Sequence, residues 1–321
     1  MDKYDENVDI FELYNEKSVF KISKKLGVLP ISWLFESNEI LFVPEHFQNQ
    51  IGKRLFGIPL MYPFANRISY NVLPISGISC KNLDELDNNL LKDVNGNIMH
   101  GLLLMQDLWK FKSKIGTHQL SFELLWNRDF DLFPYFPIEH RVELSYILIN
   151  NSVQVHMIIE NYDQIKLPLS YGFHPYFLID RQFDSSHKIK IPALDLYETN
   201  EQLFPTGKLI PVQTLFEPNQ AIGLDAAKLD TCFTNLILNS EGQVEILLET
   251  NNYDLLQKMD AVYKNLIVYK PEDLQKPYIC IEPMIAATNA FHDNFESLPK
   301  IEKGQIHHAV FEITIKNKFG S

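Results

Sequence analysis

Four short segments of this sequence place polar or titratable side chains among apolar, aromatic and turn-forming residues. PFANRIS carries Arg67, MHGLLLMQDLW carries His100, LSYGFHPYF carries His174, and CIEPM carries Glu282. Histidine and glutamate transfer protons in many enzymes, and arginine donates hydrogen bonds to oxygen-rich ligands. Each residue alone also has a structural explanation, such as a surface ion pair, a strand cap, a buried turn or a strand end. Their occurrence together favours a functional site.

Other motifs that carry chemistry are missing from the sequence. It has no GxGxxG, no GxxxxGK[ST], no GxSxG and no HExxH segment. These patterns indicate nucleotide binding, a serine nucleophile or a catalytic zinc site. The adjacent His307 and His308 would point to opposite faces of a strand, and no cysteine or carboxylate cluster accompanies them. We therefore expect neither a cofactor nor a metal.

The elements that must position the four segments are strands, because apolar and polar residues alternate with period two along much of the chain. Phe311, Ile313 and Ile315 share one face of a predicted half-buried strand near the C-terminus. Asn150 and Asn151 separate two alternating runs and predict a hairpin, since asparagine tolerates the left-handed backbone of a tight turn. Further predicted strands are HQLSFELLWN, HKIKIPAL, VEILLETN, LIVYK and YICIE.

Helical periodicity is scarce. The segment LDELDNNLLKD spaces Leu83, Leu86, Leu90 and Leu91 as on one face of a short helix, which would be peripheral to a β-rich core. No internal repeat, low-complexity tract or long linker divides the sequence. The sequence therefore predicts an all-β fold and a single domain over residues 1–321.

Composition excludes several classes of partner. The 321 residues are 45% hydrophobic and 22% charged, as in globular proteins, and carry a formal net charge of -12. That charge repels phosphate backbones and anionic lipids, so we expect neither nucleic acid nor a membrane as a partner. Cys80, Cys232 and Cys280 are widely spaced without a CxxC, which indicates reduced thiols. With no visible export signal, the predicted location is cytoplasmic.

In their motifs and their order, the four segments resemble the aldose 1-epimerase (galactose mutarotase-like) family. That family has an arginine motif, a His-Gly motif, a histidine before an aromatic residue and a Glu-Pro strand end. A fifth match is LDTCF, which contains Asp230, and the resemblance runs from Gly57 to Phe291. It implies a large antiparallel β-sandwich, the supersandwich of galactose mutarotases, with a sugar bound in a cleft across one face.

The resemblance also implies an acid and a base for exchanging the α and β anomers of a sugar. Glu282 would take the proton of the C1 hydroxyl, and His174 would protonate the ring oxygen. The ring then opens to an aldehyde, C1 rotates, and the ring closes on the other face. His100 would assist near the ring oxygen as a third catalytic residue.

Substrate-binding roles are implied in the same way. Arg67 would donate hydrogen bonds to sugar hydroxyls, its neighbour Asn66 would bind substrate beside it, and Asp230 would accept hydrogen bonds further around the ring. Aromatic residues expected to line the cleft are Trp109, Tyr176 and Phe291.

The identity of the sugar stays open. The segments HPYFLI and EPMIAATNAF differ from the sequence pattern of the galactose-specific enzymes, in which the histidine precedes Tyr-Phe-Asn and the glutamate precedes Pro-Asp. A hexose-6-phosphate epimerase is an alternative, although it would need additional cations to bind the phosphate. A non-catalytic carbohydrate sensor on the same fold is another, and a glycosidase ranks lower because hydrolysis usually requires a carboxylate pair. Arginine is scarce, which favours a free sugar over a sugar phosphate. The five arginines are Arg54, Arg67, Arg128, Arg141 and Arg181.

Overall fold

Strands dominate the computed structural model, which describes residues 9–47, 55–86, 90–225 and 229–318. Strands hold 48% of the residues, so the predicted all-β class is confirmed. The strands are β1 Ile10–Tyr14, β2 Ser18–Ser23, β3 Leu29–Phe35, β4 Asn38–Glu39, β5 Leu60–Met61, β6 Lys110–Ile115, β7 Gln119–Trp126, β8 His140–Ile149, β9 Ser152–Asn161, β10 Leu167–Pro168, β11 Gly172–Phe173, β12 Tyr176–Leu178, β13 Lys188–Lys190, β14 Ala193–Thr199, β15 Pro205–Pro211, β16 Ala221–Gly223, β17 Asp230–Leu236, β18 Gln243–Glu249, β19 Tyr253–Asp260, β20 Asn265–Tyr269, β21 Tyr278–Met284, β22 Lys300–Ile301 and β23 Ile306–Asn317.

Helices in the described ranges are short. One α-helix, α1, spans Ala290–Asp293, and the 3-10 helices are Ser69–Asn71, Leu83–Glu85, Phe133–Tyr135, Arg181–Phe183, Val212–Thr214 and Phe295–Ser297. The helix predicted over LDELDNNLLKD is wrong beyond its first turn, because Leu86 is already extended at φ -76° and ψ 128°. Residues 87–89 of that segment lie outside the described residues. Among the helices described, none has the length and apolar character that a membrane span requires.

Two large antiparallel sheets form the body of the protein. The first has the order β16-β13-β18-β19-β23-β9-β8-β7-β6, and the second has the order β15-β14-β17-β20-β21-β11-β5, with β12 paired to β21. The strands β1 to β4 form a separate four-stranded sheet, and β10 pairs with β22. The predicted hairpin is confirmed, since β8 and β9 pair directly and Asn150 between them adopts φ 52°.

The main hydrophobic core lies between the two large sheets. In β21, Ile279 and Ile281 join this core, whereas Glu282 points to the opposite face of the sheet. The rings of Phe173 and Phe311 meet across the interface with centroids 4.9 Å apart. Each such side chain contributes about 1.5–3 kcal/mol when fully buried. The outward face of the second sheet is therefore the one on which polar residues can form a site.

The segment after β5 lies against the residues around Gly101. Gly101 has φ +78°, and a Cβ atom there would lie 2.2 Å from the carbonyl oxygen of Tyr62. The Leu102 N–H donates to the same oxygen at 2.6 Å. The buried Tyr62 hydroxyl contacts His140 Nε2 at 2.5 Å, and His140 Nδ1 is 2.7 Å from the Ile138 carbonyl oxygen. The residue after His100 must be glycine because the carbonyl group of Tyr62 leaves no room there for a Cβ atom.

We expect Gly101→Ala to destabilise the protein by about 3 kcal/mol or more, since it combines a left-handed backbone with a steric clash. The matched control is Gly77→Ala, because Gly77 has φ +79° but no atom lies within 4 Å of the position that a Cβ atom would take there. That control retains only the left-handed penalty of about 1–2 kcal/mol. Urea unfolding of both variants measures the difference. Equal losses would show that the contact with Tyr62 contributes nothing.

Candidate active site

The candidate site lies on the outward face of the second large sheet. Period-two alternation puts Asp230 of β17, Tyr269 of β20 and Glu282 of β21 on this face. Backbone register places Asp230 opposite Tyr269, and Ile267 opposite Glu282. Three neighbouring strands therefore contribute adjacent side chains, and the pairing of the strands fixes their spacing.

His174 enters this face from the turn between β11 and β12. Its backbone N–H donates to the Pro59 carbonyl oxygen at 3.0 Å, and its ring stacks on Tyr176 with centroids 4.5 Å apart and planes 7° apart. This arrangement brings His174 Nε2 to 3.3 Å from Glu282 Oε1. Only 6% of His174 and 2% of Glu282 is exposed. The two residues, distant in sequence, form a buried contact pair.

Burial sets the protonation of this pair. It lowers the pKa of His174 to about 3. Burial also raises the pKa of Glu282 well above its usual range, with a further increase from the Asp230 carboxylate and an opposing effect from Arg67. A low-dielectric environment disfavours both charged forms. Burial therefore favours a neutral imidazole beside a protonated carboxyl.

Two atoms of the pair have unused hydrogen-bonding capacity. His174 Nδ1 and Glu282 Oε2 are buried and have no hydrogen-bond partner among the described residues. An unsatisfied buried polar atom costs about 1–3 kcal/mol, so folded proteins rarely retain one without a purpose. These two atoms are thus available for hydrogen bonds to a molecule in the site.

A second wall of the site is formed by the two loop segments that carry Asn66 and His100. The His100 N–H donates to the Asn66 carbonyl oxygen at 2.8 Å, and the two residues adopt φ 63° and 56°. Left-handed backbone in residues other than glycine costs about 1–3 kcal/mol each and clusters at functional sites. The His100 and His174 rings meet edge to face at 5.1 Å. Burial, followed by the proximity of His174 and Arg67, lowers the pKa of His100 well below its usual range.

Arg67 is oriented by two oxygen atoms. Its Nη1 donates to Asn66 Oδ1 at 2.9 Å, and its Nε donates to Asp93 Oδ2 at 3.0 Å. Burial alone would raise the pKa of Asp93, but hydrogen bonds from Asn97, Asn95 and Arg67 lower it, so the carboxylate is charged. The sequence reasoning missed Asp93, whose only signal is a turn-forming DVNGN segment before the His-Gly motif.

These side chains surround a cavity of about 330 Å³, at the lower end of the range for small-molecule sites. Seven residues expected at the site line it, namely Asn66, Arg67, His100, His174, Tyr176, Asp230 and Glu282. The sequence reasoning missed the other lining residues, which are Phe42, Leu55, Leu91, Met99, Ile267, Tyr269, Gln275, Lys276 and Tyr278. For Tyr278, the available signal was its position four residues before Glu282 on one strand, which places both on the same face.

The expectation that Trp109 and Phe291 line the cleft is wrong. Trp109 is 2% exposed and Phe291 is 1% exposed, and both belong to the main hydrophobic core. The Phe291 ring packs edge to face on Phe136 at 6.2 Å. Large aromatic side chains gain most free energy from complete burial, and that gain places these two in the interior.

Metal-ligating residue types also meet at this site. The donor atoms of His174, Cys280 and Glu282 all lie within 4.8 Å of one another. By contrast, His307 and His308 point to opposite faces of β23, as predicted. His307 Nε2 contacts the Tyr171 hydroxyl at 2.9 Å, whereas His308 Nε2 lies 3.1 Å from a ring nitrogen of His156.

Comparison with known proteins gives a family match over most of the chain. The family model described as aldose 1-epimerase matches residues 19–314. The uncharacterised protein YihR of Escherichia coli is 24% identical over 164 residues, which cover 51% of this chain and 52% of that protein. The chain thus aligns with about half the length of this curated relative.

Solved structures show the same fold. A galactose mutarotase-like protein from Clostridium acetobutylicum superposes with a TM-score of 0.80 and 18% identity, covering 98% of this chain and 100% of that one. A GalM/aldose epimerase homologue from Caenorhabditis elegans superposes with a TM-score of 0.75 and 15% identity, covering 96% of this chain and 98% of that one. Galactose 1-epimerase from Lactobacillus acidophilus superposes with a TM-score of 0.72 and 14% identity, covering 98% of this chain and 97% of that one. The predicted galactose mutarotase-like sandwich is confirmed.

The protonation of the pair is directly measurable. At neutral pH we expect an infrared C=O band of a protonated carboxyl that disappears in Glu282→Gln, because burial raises the pKa of Glu282. Glu302→Gln is the control, since the Glu302 carboxylate is exposed and paired with Lys166 at 2.7 Å, and it should retain the band. Persistence of the band in Glu282→Gln would assign the proton to another carboxyl group.

Proposed function

Because the chain belongs to the aldose 1-epimerase family, we propose that it interconverts the α and β anomers of an aldose. The single observation that carries this proposal is the buried contact of 3.3 Å between His174 Nε2 and Glu282 Oε1. The contact lies in a cavity of small-molecule size, lined by further polar side chains. Such a pair offers one acid and one base without a cofactor.

Ring opening requires two proton movements. Glu282, as a carboxylate, removes the proton of the C1 hydroxyl, and the C1=O bond forms while the bond from C1 to the ring oxygen breaks. His174, as an imidazolium, delivers a proton to the departing ring oxygen. Rotation about the bond between C1 and C2, followed by the reverse transfers, gives the other anomer. The proton count of the enzyme is restored at the end.

The neutral resting pair fits this sequence of steps. Transfer of one proton from Glu282 to His174 across their contact produces the carboxylate and the imidazolium that ring opening requires. Ring opening then converts this charged pair back to the neutral one. Burial disfavours the charged pair, so it opposes this internal transfer and favours, by the same amount, the ring-opening step that returns the pair to the neutral form. Hydrogen bonds from sugar hydroxyls would stabilise the Glu282 carboxylate before that step.

Orientation of the sugar falls to the other lining residues. Arg67 would donate to hydroxyl oxygens, and Asp230 would accept from hydroxyl groups. His100 Nδ1 lies 2.8 Å from Met61 Sδ, so its Nε2 is the ring nitrogen left for a sugar hydroxyl group. Tyr269 and Tyr278 provide aromatic surface for the apolar face of the ring.

Removal of either member of the pair should slow anomer exchange. We expect His174→Asn and Glu282→Gln each to reduce the rate by about 100-fold to 10,000-fold, as for loss of a general acid or base. Matched controls are His308→Asn and Glu312→Gln on β23 of the other large sheet, and these should stay within about twofold of wild type. The measurement is exchange NMR on freshly dissolved α-glucose and α-galactose. Unchanged rates in both site variants would refute the mechanism.

One observation supports a second candidate, an aldose 6-phosphate 1-epimerase. Lys276 lines the cavity, is partly buried, and has no ion-pair partner in the described part of the chain. An ammonium group in this position would attract a phosphate on the substrate. Arg67 is less available because Asp93 already binds its Nε.

Comparison of two substrates separates the candidates. If the phosphate is the natural substituent, Lys276→Met should lower kcat/KM for glucose 6-phosphate by about tenfold or more relative to glucose. If the two sugars are affected equally, Lys276 does not recognise a phosphate. Binding of either sugar without exchange would instead indicate a carbohydrate sensor.

A further inference from the structure

Cys280 lies directly beside the proposed acid and base, although it takes no part in their chemistry. Cys280 and Glu282 are two residues apart on β21, so their side chains share one face of the strand. Backbone pairing sets Tyr176 opposite Cys280, which brings the turn carrying His174 to the same place. A thiol, an imidazole and a carboxyl thus converge, with all donor atoms within 4.8 Å.

This donor set suits a thiophilic divalent cation. Thiolate, imidazole and carboxylate ligands hold Zn²⁺ at about 2.0–2.3 Å, which requires the donors to be separated by roughly 3.3–3.8 Å in a tetrahedron. Small side-chain adjustments therefore close the group around an ion. Three protein ligands leave a fourth position open, and two of the three, His174 and Glu282, line the cavity.

A second observation points to a ligand at the same place. Glu282 Oε2 and His174 Nδ1 are buried without hydrogen-bond partners among the residues described, and each residue is more than nine-tenths buried. An unpartnered carboxyl oxygen offers the lone pairs that metal coordination requires. Glu282 Oε2 is thus suited to a cation as well as to a sugar.

We propose that His174, Cys280 and Glu282 form a binding site for a thiophilic divalent cation such as Zn²⁺ or Cd²⁺, and that its occupancy blocks anomer exchange. Binding forms one bond from the metal to each residue and releases the thiol and carboxyl protons to solvent. The lone pair of His174 and the carboxylate of Glu282 are then no longer available to the sugar. The inhibitory consequence rests on the proposed function, whereas the site itself does not.

A second buried cysteine, two strands away in the same sheet, provides a natural comparison. Cys232 lies on β17 and packs with Met61, Ile267 and Met284 in a separate apolar cluster. In the described ranges, Cys232 does not belong to the group of metal-ligating side chains. Both cysteines are buried free thiols, so they differ mainly in their neighbours.

A cadmium titration tests the site without reference to activity. Thiolate-to-Cd²⁺ charge transfer absorbs in the ultraviolet, so we expect the purified protein to develop this band until one Cd²⁺ is bound per chain. Cys280→Ala and the isosteric Cys280→Ser should weaken binding by about 100-fold or more, since each removes a ligand. Cys232→Ala and Cys80→Ser should retain the band. Absence of the band in wild type, or its persistence in both Cys280 variants, would overturn the proposal.

Inhibition is measured on the same samples. In wild type, Zn²⁺ at the concentration that fills the site should slow anomer exchange by about tenfold or more, with full recovery after a chelator is added. An active enzyme that is insensitive to Zn²⁺ and shows no cadmium band would refute the metal site and leave the proposed function intact. A cadmium band that depends on Cys280, in a protein that does not catalyse anomer exchange, would support the metal site and refute the proposed function.

Discussion

Exclusion of water from one face of a sheet determines the chemistry available to this protein. Most antiparallel sheets of a sandwich bury one face and leave the other in solvent. Here the second large sheet is covered on both faces, by the first sheet on one side and by the loops around Arg67 and His100 on the other. Glu282 and His174 therefore meet in a low-dielectric environment, where the neutral pair is the stable form. Burial by the architecture is the main cause of both pKa shifts, and the Asp230 carboxylate raises the pKa of Glu282 further.

The same enclosure explains why one group of residues serves two kinds of chemistry. A buried carboxyl and a neutral imidazole with unused lone pairs are suited to proton transfer, and they are also suited to a cation. Whether a metal ion can compete with a sugar for this pair depends on a third ligand. Because side chains alternate along β21, that third ligand is Cys280, two residues before Glu282. Vulnerability to thiophilic metals thus arises from the strand that supplies the proposed base.

Much of the fold was predictable from the sequence, because alternation over strands such as β8, β9 and β23 is a local signal. The adjacency of His174 and Glu282 was not, since it depends on the order of β11, β12 and β21 within the sheet. Trp109 was misassigned because an aromatic residue near a motif has the same local signature whether it lines a cleft or fills a core. Asp93 and Lys276 lie in loops, where no periodicity reports which way a side chain points.

The wall that carries Asn66 and His100 is assembled through main-chain atoms. The backbone of His100 bonds to the backbone of Asn66, and Gly101 packs against the carbonyl group of Tyr62. A side chain such as that of Met99, which lines the cavity, is therefore not needed to hold the two loops together. Substitutions at such a position can change the surface of the cavity while the loops keep their shape. A scaffold of this kind lets the lining of the cavity vary without a new fold.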